Sequence, residues 1–158
     1  MLERSIEVKF NKILKLNNIL IREVLEDDFK DIEKIVTLMQ SYLKAKGSDT
    51  IGPLIQYSQP QIKDNGKMII KTFFMVQSKN LIHHIDEPYT MKSQIRVKNC
   101  MYARYKGEEL FIKYGSDKIM ITAFEQKIKL KGDIYTILVD DLENGIIADI
   151  FMECIDND

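Results

Sequence analysis

The sequence contains no tryptophan, and among its 158 residues it has only 2 cysteines, 2 histidines, 3 prolines and 7 glycines. The two cysteines, Cys100 and Cys154, form no CxxC pair, so the sequence offers neither a metal clip nor a disulfide framework. We expect both to be buried thiols in a reducing cytoplasm. So little glycine and proline leaves little room for a flexible linker, and the length fits a single domain over residues 1–158.

Long hydrophobic runs are also missing. No run approaches the ~20 apolar residues that span a bilayer, and charged residues at the N-terminus stand where a signal peptide needs an apolar core. The formal net charge of −1 argues against a general nucleic-acid surface, which is normally basic. We therefore expect a cytoplasmic protein with neither a membrane nor a nucleic acid as its partner.

Catalytic and cofactor motifs are absent as well. There is no phosphate-binding loop and no nucleophile elbow, so we predict no cofactor and no catalytic residue. The adjacent pair His83 and His84 is a poor metal site, because neighbouring side chains diverge on most backbones. We interpret this pair as an exposed loop feature and predict no metal site.

What the chain does contain is an apparent repeat. Each half consists of a strand, a long helix, a glycine break and two further strands, with the halves at about 5–80 and 90–156. Gly52 and Gly132, which follow the two helices, lie 80 positions apart. The pattern predicts an α+β fold, in which duplicated strand–helix–strand–strand units form an antiparallel sheet with two long helices and a central groove. A groove between two such halves is a natural ligand site.

The predicted helices cover residues 27–46 and 108–131. The second has a break or kink at Gly115–Asp117, and the side chains expected on its apolar face are Leu110, Phe111, Tyr114, Ile121, Phe124 and Ile128. The predicted strands are short, at residues 5–10, 19–24, 54–58, 68–76, 91–98, 100–105, 134–139 and 146–154. Asn17 and Asn18 are expected to form a turn between the first two strands.

Short motifs in this order resemble the gyrase-inhibitor-like family, the effector-binding domain of many bacterial transcription activators. The segment Tyr102–Gly107 resembles the family's aromatic-arginine-aromatic strand end with its following glycine. Gly52–Tyr57 and Gly132–Tyr135 resemble the strands that follow each helix. The resemblance runs from Ile6 to Ile155. It implies a divergent, stand-alone bacterial member, since no DNA-binding domain accompanies it.

The resemblance implies a non-enzymatic domain that binds a small effector or drug-like molecule in the groove between the halves. An alternative is an accessory protein-interaction module, for example one associated with secretion, whose pocket is filled or vestigial. A hydrolase of the family's enzymatic branch is a third interpretation. A homodimer formed through an exposed sheet edge is a further expectation.

Five residues are the predicted ligand contacts. Asp133 stands where the family carries a glutamate. Its carboxylate either lies at the base of a cleft, where it attracts a cation or acts as a base, or caps the turn after Gly132. Tyr57 and Tyr135 either line the groove with their rings or pack in the core. Phe73 and Tyr105 complete the predicted set.

Two arginines are further candidates. Arg22 and Arg104 lie on the opening strands of the two halves, 82 positions apart. Arg104 could bind an anion or pair with Asp133 or Glu109. The interpretation that we favour for such an arginine is a structural ion pair or a side chain that points to solvent.

Overall fold

The computed structural model describes residues 6–156 and divides the chain into two compact units. The middle unit is Lys15–Arg96, and the terminal unit combines residues 1–14 with residues 97–158. The chain passes from one unit to the other inside two strands rather than in a linker.

Strands dominate the described residues. The elements in chain order are β1 (Val8–Val24), α1 (Ile32–Ala45), β2 (Thr50–Ile62), β3 (Met68–Ser78), β4 (Tyr89–Gly107), α2 (Lys113–Glu125), β5 (Ile134–Leu142) and β6 (Gly145–Glu153). A short 3-10 segment precedes each helix, at Glu26–Asp31 and Glu109–Phe111.

The predicted α+β class with two long helices is wrong. The strands are 9 to 19 residues long, whereas α1 and α2 have only 14 and 13 residues, so the chain is mainly β. The prediction fails for two reasons. The residues predicted as the first turn of each helix form a 3-10 segment instead. In addition, neighbouring segments that were predicted as separate strands join into one long strand in β1 and in β4.

Asparagines in the left-handed conformation explain why the sequence predicts separate strands where the structure has one continuous strand. Asn18 has a φ of 50° within β1, and Asn99 has a φ of 56° within β4. Asparagine tolerates this conformation better than most residues, so the strand continues through it. The predicted turn at Asn17–Asn18 is therefore absent, and the predicted strands at 91–98 and 100–105 are parts of β4. Ser5, at the start of the first predicted strand, lies outside the described residues.

The middle unit is a three-stranded antiparallel sheet with α1 packed on one face. The central strand β3 pairs with both β1 and β2. The buried side chains between this sheet and α1 are Leu20, Val24, Phe74 and Val76 from the strands and Ile35, Met39 and Leu43 from the helix. The three buried helix residues are spaced by four, so they form one continuous apolar face of α1.

The terminal unit has the same arrangement with β6 in the centre, between β5 and β4. Here α2 buries small residues, Gly115, Ser116 and Ala123 together with Ile119. A Cβ atom added at Gly115 would lie 2.1 Å from Cδ1 of Ile150 on β6. Gly115 therefore permits close helix–sheet packing, and α2 continues through the predicted break at Gly115–Asp117.

Close packing through small residues leaves large apolar side chains of α2 and of the preceding 3-10 segment facing outward. Leu110 is 82% exposed, Phe124 is 80% exposed and Ile121 is 55% exposed. The sequence pattern had placed these three residues on the buried face, so that prediction is wrong. Counting large apolar residues does not detect a buried helix face made of glycine, serine and alanine.

Candidate functional site

The five predicted ligand contacts are divided between the two units. Tyr57 on β2 and Phe73 on β3 belong to the middle unit. Tyr105 on β4, Tyr135 on β5 and Asp133 just before β5 belong to the terminal unit. Each unit is considered separately below.

In the middle unit, Tyr57 and Phe73 lie directly opposite each other on β2 and β3. Their ring centroids are 5.8 Å apart, and the ring planes differ by 27°. Directly paired residues project to the same face of a sheet. Because Phe74, the next residue along, packs against α1, these two rings lie on the opposite face.

A carboxylate stands beside the two rings. Glu23 on β1 pairs directly with Phe73, so its side chain lies on the same face as both rings. The Nζ atom of Lys71 is 3.8 Å from Oε1 of Glu23, and both side chains are more than a third exposed. An ion pair of this length and exposure contributes little binding energy, so it holds Glu23 only weakly.

In the terminal unit, the sheet face away from α2 carries a row of three aromatic residues. Tyr135 on β5 and Tyr102 on β4 both pair with Phe151 on the central strand β6. The Tyr102 and Phe151 ring centroids are 5.0 Å apart. Tyr135 is nearly buried, with 9% of its surface exposed.

The carboxylate on this face, Asp149, is fully engaged. Arg104 donates two hydrogen bonds to it, from Nε at 2.8 Å and from a terminal nitrogen at 3.0 Å. The Tyr102 hydroxyl donates a third, at 2.6 Å. Burial, followed by this hydrogen bond, raises the pKa of Tyr102 to about 12, and the bonds to Asp149 raise the pKa of Arg104. Arg104 therefore makes a structural ion pair, but its partner is Asp149 and not Asp133 or Glu109, the partners named from the sequence.

The other two predicted residues of the terminal unit have different surroundings. Tyr105 is only 1% exposed and lies in the core beneath α2. Its hydroxyl donates a hydrogen bond to the backbone carbonyl of Glu108. Asp133 follows Gly132, whose φ is 101°. The hydrogen bond to Glu153 is the main cause that raises the pKa of Lys131, and the charge of Asp133 makes a smaller contribution.

Neither cysteine has the surroundings of a nucleophile. Burial raises the pKa of Cys100 to about 11 and also raises the pKa of Cys154, so both remain protonated at neutral pH. Within residues 6–156, no group of three or more histidine, cysteine, aspartate or glutamate side chains could hold a metal ion. His83 and His84 are exposed, in the segment between β3 and β4. No helix among the described residues has the length and apolarity needed to cross a membrane.

The terminal unit also contains a cavity of about 530 Å³, which none of the five predicted residues lines. It lies between the end of α2, the strands β1 and β4, and the chain just after β6. Its polar lining residues are Asn11, Asn99, Lys127 and Asp156. Sequence reasoning found no signal for it, since these four residues are far apart in the chain.

Sequence reasoning also missed Glu23 and Asp149. The signal for Glu23 was present, because Ile19, Ile21 and Glu23 alternate along one strand and therefore share a face. The predicted equivalence of Arg22 and Arg104 hid this signal, because it made Arg22 the candidate on this strand in place of Glu23. Arg22 pairs with Phe74 and so lies on the face towards α1, where it is 3.6 Å from Asp28. A one-residue difference in register moves a side chain to the other face of a sheet.

Comparisons with known proteins find similarity to this chain in structure alone. No protein-family model matches the chain, and no curated protein matches it. Among solved structures, the chain is similar to a hydrolase from Listeria innocua, with a TM-score of 0.57 and 10% sequence identity over 98% of this chain and 93% of that one.

Two further structures are similar at lower scores. One is the protein SAV2435 bound to tetraphenylphosphonium, with a TM-score of 0.49 and 12% identity over 96% of this chain and 94% of that one. The other is described as a bacterial transcription regulation protein from Staphylococcus aureus, with a TM-score of 0.46 and 11% identity over 96% and 99%. Scores below 0.5 carry no argument. What the comparisons establish is a fold shared with the Listeria innocua hydrolase.

Proposed function

We propose that this chain is a small-molecule-binding domain whose ligand is an organic cation with an apolar or aromatic body. The proposed site is the face of the middle-unit sheet that lies away from α1. The observation that carries the proposal is the stacked pair Tyr57 and Phe73 with the Glu23 carboxylate directly beside Phe73.

This combination suits a cation. Aromatic ring faces attract positive charge through their quadrupole, and a nearby carboxylate adds a direct electrostatic attraction. The Lys71 ammonium lies 3.8 Å from the Glu23 carboxylate, so their ion pair is weak. A ligand cation can therefore replace the ammonium with little loss of free energy. The Asp149 carboxylate of the terminal unit is unsuitable, because three hydrogen bonds already occupy it.

The site keeps two of the five predicted contacts, Tyr57 and Phe73, and adds Glu23. Tyr105 is left out because it is buried in a core. Asp133 and Tyr135 belong to the other unit, and they enter the proposal only as a rival site to be tested.

The test uses benzyltrimethylammonium and its neutral carbon analogue, neopentylbenzene, with binding measured by calorimetry or NMR titration. We expect the cation to bind more tightly than the neutral analogue. Glu23→Gln should weaken cation binding about tenfold, the size of effect expected for a charged contact. Lys71→Gln should strengthen it, since it releases the carboxylate from its internal partner.

Glu26→Gln is the matched control, because it removes the same charge from the 3-10 segment that follows β1. Equal binding of the cation by the wild type, the Glu23 variant and the Glu26 variant would contradict the site. Equal binding of the cation and the neutral analogue would contradict the ligand class.

A second candidate function, protein interaction, is favoured by the outer face of α2. Leu110, Tyr114, Ile121 and Phe124 form an exposed apolar stripe along α2 and the segment just before it. Exposed apolar patches of this kind are typical of interaction sites. The partner that we propose for this surface is a second copy of the chain.

Charge supports self-association. Asp117 and Lys118 lie at the centre of the stripe, with Tyr114 and Ile121 on either side. When two copies of α2 pack antiparallel about a twofold axis at this point, Asp117 of each copy lies beside Lys118 of the other. Two reciprocal ion pairs then fix the register between the apolar residues.

Sedimentation equilibrium tests this function. We expect a concentration-dependent dimer that Phe124→Lys converts to a monomer. Ile62→Lys, at an exposed residue of β2, should leave the dimer intact. A monomer at all concentrations would contradict self-association through α2, and so would a dimer that both variants leave unchanged. If another protein binds this surface and the chain does not self-associate, the surface is an interface with that protein.

A further inference from the structure

The cavity of the terminal unit is lined by three of the four non-glycine residues that have positive φ among the described residues. These three are Asn11 (φ 56°), Asn99 (φ 56°) and Lys127 (φ 59°). The left-handed conformation is unfavourable for residues other than glycine, and least so for asparagine. Such residues cluster at binding sites, where strain fixes the direction of a side chain. Lys127 therefore needs an explanation.

The surroundings of Lys127 show that glycine would fit there. Lys127 follows α2, and the hydrogen bonds from Lys127 N to Phe124 O and from Ile128 N to Ala123 O form the helix-ending motif that favours a glycine at this position. The middle unit has the same two bonds at the end of α1, where the left-handed residue is Gly47. At Lys127 the chain keeps a lysine in a conformation that favours glycine, at a position that lines the cavity.

The charges in the cavity are complementary but not joined to each other. Lys127 has no ion pair with any described residue. Asp156 accepts a hydrogen bond at Oδ1 from the Asn99 amide, at 3.0 Å, and its Oδ2 has no hydrogen-bond donor within residues 6–156. The Asn11 carboxamide also faces the cavity. The cavity lining thus contains one cationic group, one carboxylate and one amide, and the Lys131 ammonium also lies close enough to Asp156 to interact with its charge.

The rest of the lining is apolar. Met101 and Cys154 are buried, with 0% and 7% of their surfaces exposed, and both contribute to the cavity wall together with Ile128. Burial keeps the Cys154 thiol protonated by raising its pKa, so it serves as an apolar surface and not as a nucleophile. A volume of about 530 Å³ lies within the range of small-ligand pockets.

We propose that this cavity binds a small zwitterion of the amino-acid type with an apolar side chain. The ligand carboxylate pairs with the Lys127 ammonium, and the ligand ammonium is held by Asp156 and the Asn11 carboxamide. The apolar side chain lies against Met101 and Ile128. A ligand with a single charge can form only one of these two ion pairs, so it gains less electrostatic attraction than the zwitterion. The proposal is independent of the cation site on the middle unit.

The test is a titration of the full chain with each of the twenty protein amino acids at 10 mM, followed by NMR or calorimetry. L-leucine and L-methionine are expected to be among the amino acids that bind. Leucine methyl ester, which lacks the carboxylate, and N-acetyl-leucine, which lacks the ammonium group, should each bind at least tenfold more weakly than leucine. If none of the twenty binds, the proposal is overturned.

Lys127→Gly distinguishes a lysine that binds the ligand from a lysine that has no role in binding. It should raise Tm by about 2–4 °C, because glycine adopts the left-handed conformation without strain, and it should raise the Kd for leucine at least tenfold. Higher Tm with unchanged binding would contradict the role of Lys127. Lys127→Asn also removes the charge while tolerating the left-handed backbone, and it gives the same binding test should the glycine variant fold poorly.

Two control variants complete the experiment. Lys129→Gln removes the same charge two residues away, at a residue outside the cavity lining, and should leave leucine binding unchanged. Glu23→Gln should also leave it unchanged, since that residue belongs to the middle unit. Loss of leucine binding in Lys129→Gln to the same degree as in Lys127→Gly would show a general charge effect and would overturn the site.

Discussion

Both units end their helix with the same pair of backbone hydrogen bonds, but the left-handed residue is Gly47 in the middle unit and Lys127 in the terminal unit. The same contrast appears on the sheets. Glu23 of the middle unit is held by one loose ion pair, whereas Asp149 of the terminal unit accepts three hydrogen bonds. Similar backbones therefore carry different side-chain chemistry. The middle unit has a weakly paired carboxylate on its sheet, and the terminal unit has, at the end of its helix, a lysine without an ion pair to any described residue.

The two ligand sites that we propose follow this difference between the units. In the middle unit, the open group is a carboxylate beside two stacked rings, which suits an organic cation. In the terminal unit, the sheet carboxylate is neutralised by Arg104, and the open group is the Lys127 ammonium at a cavity. Variants that exchange these features between the units test whether the differences are functional or only structural.

The largest expected effect on stability concerns the two Asn-Gly turns. A Cβ atom at Gly145 of the terminal unit would lie 2.3 Å from the backbone oxygen of Gly107, whereas one at Gly66 of the middle unit would meet nothing within 4 Å. We expect Gly145→Ala to lower the free energy of unfolding by about 3 kcal/mol, because backbone must move to relieve the clash. Gly66→Ala should cost only about 1 kcal/mol, from its φ of 82°. Urea denaturation of both variants measures the difference, and equal losses would show that close approach at Gly145 does not matter.

The next effect concerns the helix ends. Gly47→Lys introduces into the middle unit the residue that the terminal unit carries. No atom lies within 4 Å of a Cβ at this position, so the cost is conformational alone, and we expect a loss of about 1 kcal/mol in the free energy of unfolding. Thermal or urea denaturation checks it, with Lys44→Gln on the same helix as a control. An unchanged stability would imply that Lys127 is not strained either.

The sequence predicted the existence and order of the helices and the two Asn-Gly turns, because periodicity and turn chemistry are local. It did not predict that strands continue through Asn18 and Asn99, since asparagine occurs both in turns and at left-handed positions inside strands. It also reversed the buried face of α2, because Gly115 and Ala123 allow a close contact that only the folded chain reveals.

The candidate sites were less predictable than the fold. Tyr57 and Phe73 were identified from the sequence, and their stacking brings them together. Glu23 depends on the pairing register of β1 and β3, and the cavity depends on residues as distant as Asn11 and Asp156. Neither relation can be read from spacing along the chain.

The smallest expected effect concerns the buried thiol of Cys100. Its pKa is raised from 9.0 to about 11, chiefly by burial. The folded chain therefore holds this proton more tightly than the unfolded chain, and stability should fall as the pH rises from about 9 to about 11. Cys100→Ala should show a shallower decline in the urea midpoint over this range. At pH 8, the wild-type thiols should react with a disulfide reagent only after unfolding, and rapid reaction of the folded chain would contradict their burial.

The central claim is that the open carboxylate beside Tyr57 and Phe73 recognises a cation, and one comparison tests it most directly. Benzyltrimethylammonium is titrated into the wild type, Glu23→Gln and Asp133→Asn, all at the same pH and salt concentration. Asp133→Asn tests the acid that the sequence alone had indicated. The account predicts about tenfold weaker binding for Glu23→Gln and unchanged binding for Asp133→Asn. The reverse result would contradict the account and place the binding site in the terminal unit.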